Sequence, residues 1–344
     1  MCSLAISIIH SIAAGEALIE NVLHHYPIGT PLSCRLYQRG LNDTYLVETE
    51  QDRYILRVYR RGWRTKEEID FELELLAFLH EQNMPVSYPI ARKNGSFTEA
   101  ILAPEGTRYA AVFSYAPGRA VNKKLDSQQS RRLGEVLASL HKTVDTFKSH
   151  FSRPALSSEY LLDCSMDFIT TLCRDTAVPC PYPIPQAIEN RYVDYFQTQI
   201  EKIKLALAQL KLSSSAPIYG ICVGDVHSGN AHFTDKGEPT LFDFDQCGYG
   251  WRTFDIAKFI HTTFSWQMDS QVRKPFLEGY QAIRQLSEAE LASIPVFAKM
   301  AHIWVMGITC QVAGEVVPYG HFTDEWFDSK LALLTQLNTG DLDI

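Results

Sequence analysis

One stretch of the chain concentrates oxygen-bearing side chains between apolar segments. Val223-Gly224-Asp225-Val226-His227-Ser228-Gly229-Asn230 closes the apolar run 218–223, and Asp243 falls thirteen residues after Asn230, in Leu241-Phe242-Asp243-Phe244-Asp245. The runs 218–223, 231–233 and 240–244 read as short strands, with Asp235-Lys236-Gly237 as a turn. A strand-loop-strand-turn-strand unit folds back on itself, so Asp225, Asn230 and Asp243 gather at converging strand ends. Carboxylate and amide oxygens with no soft ligand suit Mg2+. Phosphoryl transfer asks for this set: one carboxylate beside the attacking hydroxyl, and two oxygen ligands that hold Mg2+ on nucleotide phosphates. Each residue alone reads as readily as a turn cap; the joint spacing does not.

The elements that must position these residues are legible upstream. Three strands, 33–38, 43–48 and 53–59, are separated by the turn-type stretches Arg39-Gly40-Leu41-Asn42 and Thr49-Glu50-Gln51-Asp52. Thr65-Lys66-Glu67-Glu68 is a capping box that starts a helix. Ile69, Leu73 and Leu76, and Phe71, Leu75 and Phe78, recur at helical spacing, and Pro85 and Pro89 stop the helix after about Gln82. Asn94-Gly95 marks a hairpin, and Glu105-Gly106 turns the chain into a strand over 109–114. Ala116-Pro117-Gly118 closes this unit. Helix then dominates, at 133–144 and from 188 to 210, with a four-proline loop over 179–185 between them. The last hundred residues read as helical. The apolar N-terminus has no Lys or Arg before Glu16 and Glu20, and reads as an amphipathic helix packed on the body rather than a signal peptide. The expected organisation is a helical extension over 1–32, a sheet carrying one helix over 33–115 and a mainly helical unit over 116–344.

Composition narrows the class. The 344 residues are 46% apolar and 21% charged, which excludes a disordered chain. The net charge of −8 makes a nucleic-acid binder a poor reading. The eight cysteines have no C-x-x-C spacing, which fits buried thiols in a reducing cytoplasm. No run of eighteen apolar residues reads as a membrane span. The expectation is a cytoplasmic protein with no nucleic-acid or membrane partner.

With its G-D-x-H-x-G-N loop followed by D-F-D, the chain resembles the aminoglycoside phosphotransferase and choline kinase branch of the protein-kinase-like fold. The signature of that branch is H-G-D-x-x-x-x-N followed by I-D-x. Within it the loop is most similar to stress response kinase A and the type II homoserine kinases. The resemblance covers about residues 33–265. It implies an α+β, two-lobed fold, with an antiparallel sheet plus one helix in the N-lobe and a mainly helical C-lobe carrying a catalytic β insert. It implies ATP and Mg2+ as cofactors, Asp225 as the catalytic base, and Asn230 and Asp243 as metal ligands. Asp245 is then an auxiliary metal or substrate contact, and Asp255 the buried carboxylate that braces the catalytic loop. Arg57 stands where such folds carry a phosphate-gripping Lys, with Glu72 to orient it and Glu74 in reserve. Ile55, two residues along the same strand face, would touch adenine. The loop around Asn42 would lie over the phosphates, and Ser114 and Tyr115 belong to the hinge that binds adenine.

Two departures stand out. Val223 replaces the usual His of H-G-D, which places loop rigidity in question more than chemistry. Arg57 keeps the charge of the usual Lys but presents a planar fork. His227 is expected to support the loop or contact substrate, with a structural role favoured. Trp266, Trp304, Tyr319 and Trp326 are candidates for an aromatic cage around a cationic substrate, though aromatics in late helices are more often core. The implied acceptor is a hydroxyl of a small molecule, aminoglycoside, amino alcohol or homoserine-like. A Ser/Thr protein kinase is the alternative, weakened because Asp243 runs into the Asp255 helix without a clear activation segment. A nucleotide-binding pseudokinase would lack one of Asp225, Asn230 and Asp243. Asp225-x-His227 also opens the metal motif of calcineurin-like phosphoesterases, but none of the later motifs of that fold follows it.

Overall fold

The computed structural model describes residues 6–174 and 186–344; the four-proline loop lies outside them. The chain divides into two compact units, Met1–Ala116 with Lys148–Arg153, and Pro117–Phe147 with Pro154–Ile344. The return of Lys148–Arg153 to the first unit is not legible in the sequence.

The first unit is built on a five-stranded sheet of order β1-β2-β3-β5-β4. Its strands are β1 (Pro31–Arg39), β2 (Asp43–Thr49), β3 (Arg53–Val58), β4 (Thr98–Ala103) and β5 (Gly106–Ser114), and every pairing is antiparallel. The register sets Arg57 opposite Thr44 and Ala111, and Ile55 opposite Leu46 and Phe113. The Lys66–Glu81 helix begins at Thr65, where the capping box forms as expected, and buries Ile69, Phe71, Glu72, Leu73, Leu75, Leu76 and Leu79.

The N-terminal segment departs from expectation. Helix covers only Gly15–Asn21 (α1; the Lys66–Glu81 helix is α2), and residues 6–14 are not helical. Ile6, Ile8, Ile9 and Ile12 are β-branched, and all four stay exposed, so no apolar face holds a longer helix in place. Polar contacts tie this segment down instead. His10 Nε2 lies 2.9 Å from Asp43 Oδ2, Ser11 Oγ donates to Glu105 at 2.7 Å, and Arg108 donates to the Ser11 carbonyl at 2.8 Å and to Asp43 at 2.7 Å. Leu18, Val22, Leu23, Tyr26 and Ile28 share one core with Cys34, Tyr45, Val47 and Leu56. Residues 1–32 are therefore no separate extension where the structure describes them.

The second unit is mainly helical. Its helices are α3 (Ser127–Thr143), α4 (Cys164–Arg174), α5 (Gln186–Leu210), α6 (Thr253–Ser265), α7 (Arg273–Ile283), α8 (Glu288–Gln311) and α9 (Asp324–Asn338). Helices α3 and α7 meet backbone to backbone: a Cβ on Gly134 would stand 2.1 Å from the Phe276 carbonyl oxygen, and one on Gly279 2.0 Å from that of Arg131. Helix α8 is long and apolar enough to cross a membrane by length and composition, but 67% of that stretch is buried inside the unit, where α8 packs on α4, α5 and α6.

The β insert forms with altered pairing. Strand β7 (Tyr219–Cys222) pairs with β10 (Gly248–Trp251), while β8 (Ala231–Phe233) pairs with β9 (Pro239–Leu241) and with β6 (Arg119–Ala120). The strand expected over 240–244 ends at Leu241. Asp243 takes φ +63°, a left-handed conformation that no extended ladder accommodates.

Candidate active site

The loop after β7 is fixed from beneath by α6. Asp255, fully buried in the first turn of α6, accepts the backbone N–H of Val223 at 2.7 Å and of Gly224 at 2.8 Å. His141 of α3 backs this carboxylate, with Nε2 3.0 Å from Asp255 and Nδ1 2.8 Å from the Tyr280 hydroxyl. Burial pushes the His141 imidazole below its usual pKa against the pull of Asp255, so the neutral ring donates to Asp255 and accepts from Tyr280. Gly224 has φ +85°, and a Cβ there would meet the Gln246 carbonyl oxygen at 2.1 Å, so this position needs glycine. The bracing bonds run through the backbone of residue 223. A valine side chain therefore does not weaken them.

The loop presents Asp225 with its two oxygens in unlike surroundings. Oδ1 lies 2.6 Å from Lys258 Nζ, whereas Oδ2 has His227 Nε2 at 3.5 Å and Asn230 Nδ2 at 3.4 Å. Burial works against the charged form, but the ammonium of Lys258 and then His227 outweigh it and hold this carboxyl below the usual carboxylate range. His227 Nδ1 accepts the Gly229 N–H at 3.0 Å, so the ring proton belongs on Nε2, facing Asp225. Its ring meets Trp266 edge-on at 5.0 Å. Ser228 anchors the loop by donating to the Asn122 carbonyl at 2.6 Å.

Asn230 and Asp243 stand on neighbouring segments. The Phe242 N–H donates to the Asn230 carbonyl at 3.0 Å, which ties the residue before Asp243 to the end of the loop. Asn230 Nδ2 donates to the Asp225 carbonyl at 3.1 Å, leaving the amide oxygen as the acceptor face for a cation. Asp245 is buried, with Gln246 Nε2 at 3.3 Å. Among the described residues no three His, Cys, Asp or Glu side chains form a metal cage. A divalent ion held by one carboxylate, one amide oxygen and nucleotide phosphates matches the donor set of Asn230 and Asp243, and suits Mg2+, which is seldom held by an all-protein cage.

In the first unit Arg57 and Glu72 meet. Arg57 Nη1 donates to Glu72 Oε1 at 2.8 Å, and the Tyr59 hydroxyl donates to Oε2 at 3.2 Å. The guanidinium also lies over the Phe113 ring, 5.2 Å from its centre. Glu74 turns the other way and accepts the His150 N–H at 3.2 Å and the Ser149 hydroxyl. Ile55 is half-buried. Asn42 Oδ1 accepts the Arg60 N–H at 3.1 Å. Ser114 is committed to the preceding loop: its N–H donates to the Tyr88 carbonyl at 2.9 Å, its carbonyl accepts the Ser87 hydroxyl at 2.6 Å, and its own hydroxyl oxygen accepts the Tyr88 N–H at 3.0 Å. The Tyr115 ring lies under the Arg53 guanidinium at 4.2 Å.

The Arg57–Glu72 contact makes a quantitative expectation. Arg57→Ala weakens ATP binding, Arg57→Lys is partly tolerated because the charge stays, and Glu72→Gln costs less than Arg57→Ala. The losses in the double variant are non-additive, with a coupling of roughly 0.5–3 kcal/mol, because the residues act as one unit. ATP titration of the single and double variants measures it; fully additive losses would mean that the pair does not act on nucleotide together.

Three of the four candidate cage aromatics pack against different neighbours. Trp266 lies at the loop, Trp304 is buried against Phe254, and Trp326 packs on Phe322 and Phe327 beneath the Lys330 ammonium. Two residues of the site escaped the sequence reading. Lys258 sits in Ile256-Ala257-Lys258-Phe259-Ile260, where an isolated lysine amid apolar neighbours calls for a buried partner. His141 follows Leu137 by four residues on the apolar face of α3, and that spacing is its only signal.

Comparison with known proteins agrees with this architecture. Residues 35–292 match the family described as Phosphotransferase enzyme family. The chain is 40% identical to an uncharacterized protein of Synechocystis sp. over 97% of this chain and 88% of that one. It is 24% identical to a homoserine kinase of Xanthobacter autotrophicus over 83% of this chain and 82% of that one. Among solved structures, the amicoumacin kinase hAmiN in complex with AMP-PNP, Ca2+ and Ami superposes with a TM-score of 0.73 at 21% identity, covering 95% of this chain and 94% of that one. An aminopropanol kinase, a spectinomycin phosphotransferase and a choline kinase share the fold as well. The protein-kinase-like fold that the loop motif implied is thus the fold of this chain, and the chain belongs to the phosphotransferase enzyme family.

Proposed function

We propose that this chain moves the γ-phosphoryl group of ATP, with Mg2+, to a hydroxyl of a small amino-alcohol-like molecule of the homoserine or aminoglycoside kind, in the cytoplasm. The observation that carries the reading is the setting of Asp225: a carboxylate with one oxygen held by Lys258 at 2.6 Å and the other only loosely contacted, by His227 and Asn230. Asp225 takes the proton of the acceptor hydroxyl. The acceptor oxygen bonds to the γ-phosphorus as the bond to the β–γ bridging oxygen breaks, and the electron pair leaves on ADP. Asn230 and Asp243 would hold the divalent ion, which when bound would neutralise charge on the phosphates. Arg57, aimed by Glu72, grips the α- and β-phosphates, and Ile55, Asn42 and Tyr115 line the nucleotide. The kinases named for homoserine and aminopropanol among the similar proteins support an amino alcohol as acceptor. Purified protein with ATP and Mg2+ is to be screened against homoserine, 1-amino-2-propanol, choline, an aminoglycoside and a generic protein substrate. Phosphorylation of a small acceptor is expected; transfer to protein alone would overturn the reading.

A further inference from the structure

Lys258 is buried, with its side chain 4% exposed, yet its carboxylate partner Asp225 is 29% exposed. An ammonium taken out of water needs a hydrogen-bonded counter-charge, and the one Lys258 has is the carboxylate of the loop. Here the ammonium is held from the inside and offered to a carboxylate at the loop. Thr262 Oγ1 accepts from Nζ at 2.9 Å, and its own hydroxyl proton goes to the Lys258 carbonyl at 3.0 Å, so the lone pair of Thr262 faces the ammonium. Nζ is thereby fixed before it meets Asp225 Oδ1 at 2.6 Å.

The same helix holds the catalytic loop at three places. Asp255 binds the N–H groups of Val223 and Gly224, Lys258 lies one turn further on, and Trp266, just past the end of α6, contacts the His227 ring. Residues three apart on a helix share a face, so backbone and carboxylate are mounted on one rigid element. The contacts to Oδ2, at 3.4 Å and 3.5 Å, are too long to compete with a hydroxyl at hydrogen-bond distance. We propose that Lys258 is a positioning residue for the base: its ammonium fixes Oδ1 of Asp225 and so aims Oδ2 at the acceptor hydroxyl.

The inference rests on the reading of Asp225 as base, and its test separates the two. The acceptor is whichever of homoserine, 1-amino-2-propanol, choline and an aminoglycoside the wild type phosphorylates fastest. Lys258→Met removes the ammonium at similar length. It is expected to lower kcat by between roughly 10-fold and 10²-fold, the scale of a misplaced reacting group. The acceptor KM, the affinity for AMP-PNP with Mg2+ and the thermal midpoint stay near wild type. More ADP is released per phosphorylated acceptor, because water is no longer outcompeted. Lys258→Arg restores part of kcat, and Thr262→Val, which keeps the charge but frees Nζ, lowers kcat by a smaller factor. Wild-type kcat in Lys258→Met overturns the inference alone. So does a loss carried wholly by nucleotide affinity or unfolding, or one that Lys258→Arg does not relieve. A wild type that releases no ADP with any acceptor overturns the reading of the base and this inference with it.

Discussion

Asp225→Asn is expected to lower kcat by at least about 10²-fold, the lower end for loss of a general base, while ATP affinity stays nearly unchanged. The amide keeps the shape of the carboxylate and much of its hydrogen bonding, so the loop that Asp255 and Ser228 hold should remain in place. The lost property is the ability to accept a proton in the transition state, which appears in kcat and not in nucleotide binding. The substitution also removes the negative charge facing Lys258 at 2.6 Å. Part of any thermal destabilisation will therefore reflect a buried ammonium left without its counter-charge. Measuring kcat and the affinity for AMP-PNP on the same preparation separates the effects. A variant that turned over at the wild-type rate would remove Asp225 from the chemistry.

The gathering of Asp225, Asn230 and Asp243 on neighbouring segments was legible from their spacing between short apolar strands, which fold back so that their ends meet. The Arg57–Glu72 meeting was legible from local pattern, a cation on a strand and an acid on the helix that follows. Geometry settles the choice between Glu72 and Glu74, since two residues along a helix turn the side chain by about 200°. Glu72 faces the sheet and Glu74 accepts from Ser149 and His150. That second contact depends on the return of Lys148–Arg153, which no local pattern announces.

The misses share a cause. The apolar neighbours of Lys258 call for a buried partner but do not name it, and only the folded loop brings Asp225 to it. The pairing of β7 with β10 joins segments far apart in the chain, and a short apolar strand does not encode which edge it meets. The 6–14 segment carried an apolar pattern that suits a helix, but its isoleucines face solvent and its hold comes from His10, Ser11 and Arg108. Local propensity gave way in each case to tertiary partners.

Asp243→Ala is expected to abolish divalent-ion-dependent nucleotide binding, and EDTA to stop the wild-type reaction. A divalent ion on the phosphates supplies several kcal/mol of charge stabilisation, so removing a carboxylate ligand should cost roughly 10²-fold or more in rate. Asp243 is also held at φ +63°, a conformation that costs about 1–3 kcal/mol for a non-glycine residue and persists only where surrounding structure enforces it. On the reading of Asp243 as a metal ligand, this conformation, two residues past the end of β9, is kept for the direction of its carboxylate rather than for the stability of the turn. Asp243→Gly relieves the backbone and removes the ligand, so it should be more stable than the wild type towards heat while remaining inactive. Asp243→Ala, which keeps the strain, should gain no such stability. Thermal unfolding and Mg2+-dependent binding of AMP-PNP, measured on both variants, test the two halves of this argument separately. Full activity of either variant, or full wild-type activity in EDTA, would show that Asp243 holds no metal that the reaction needs.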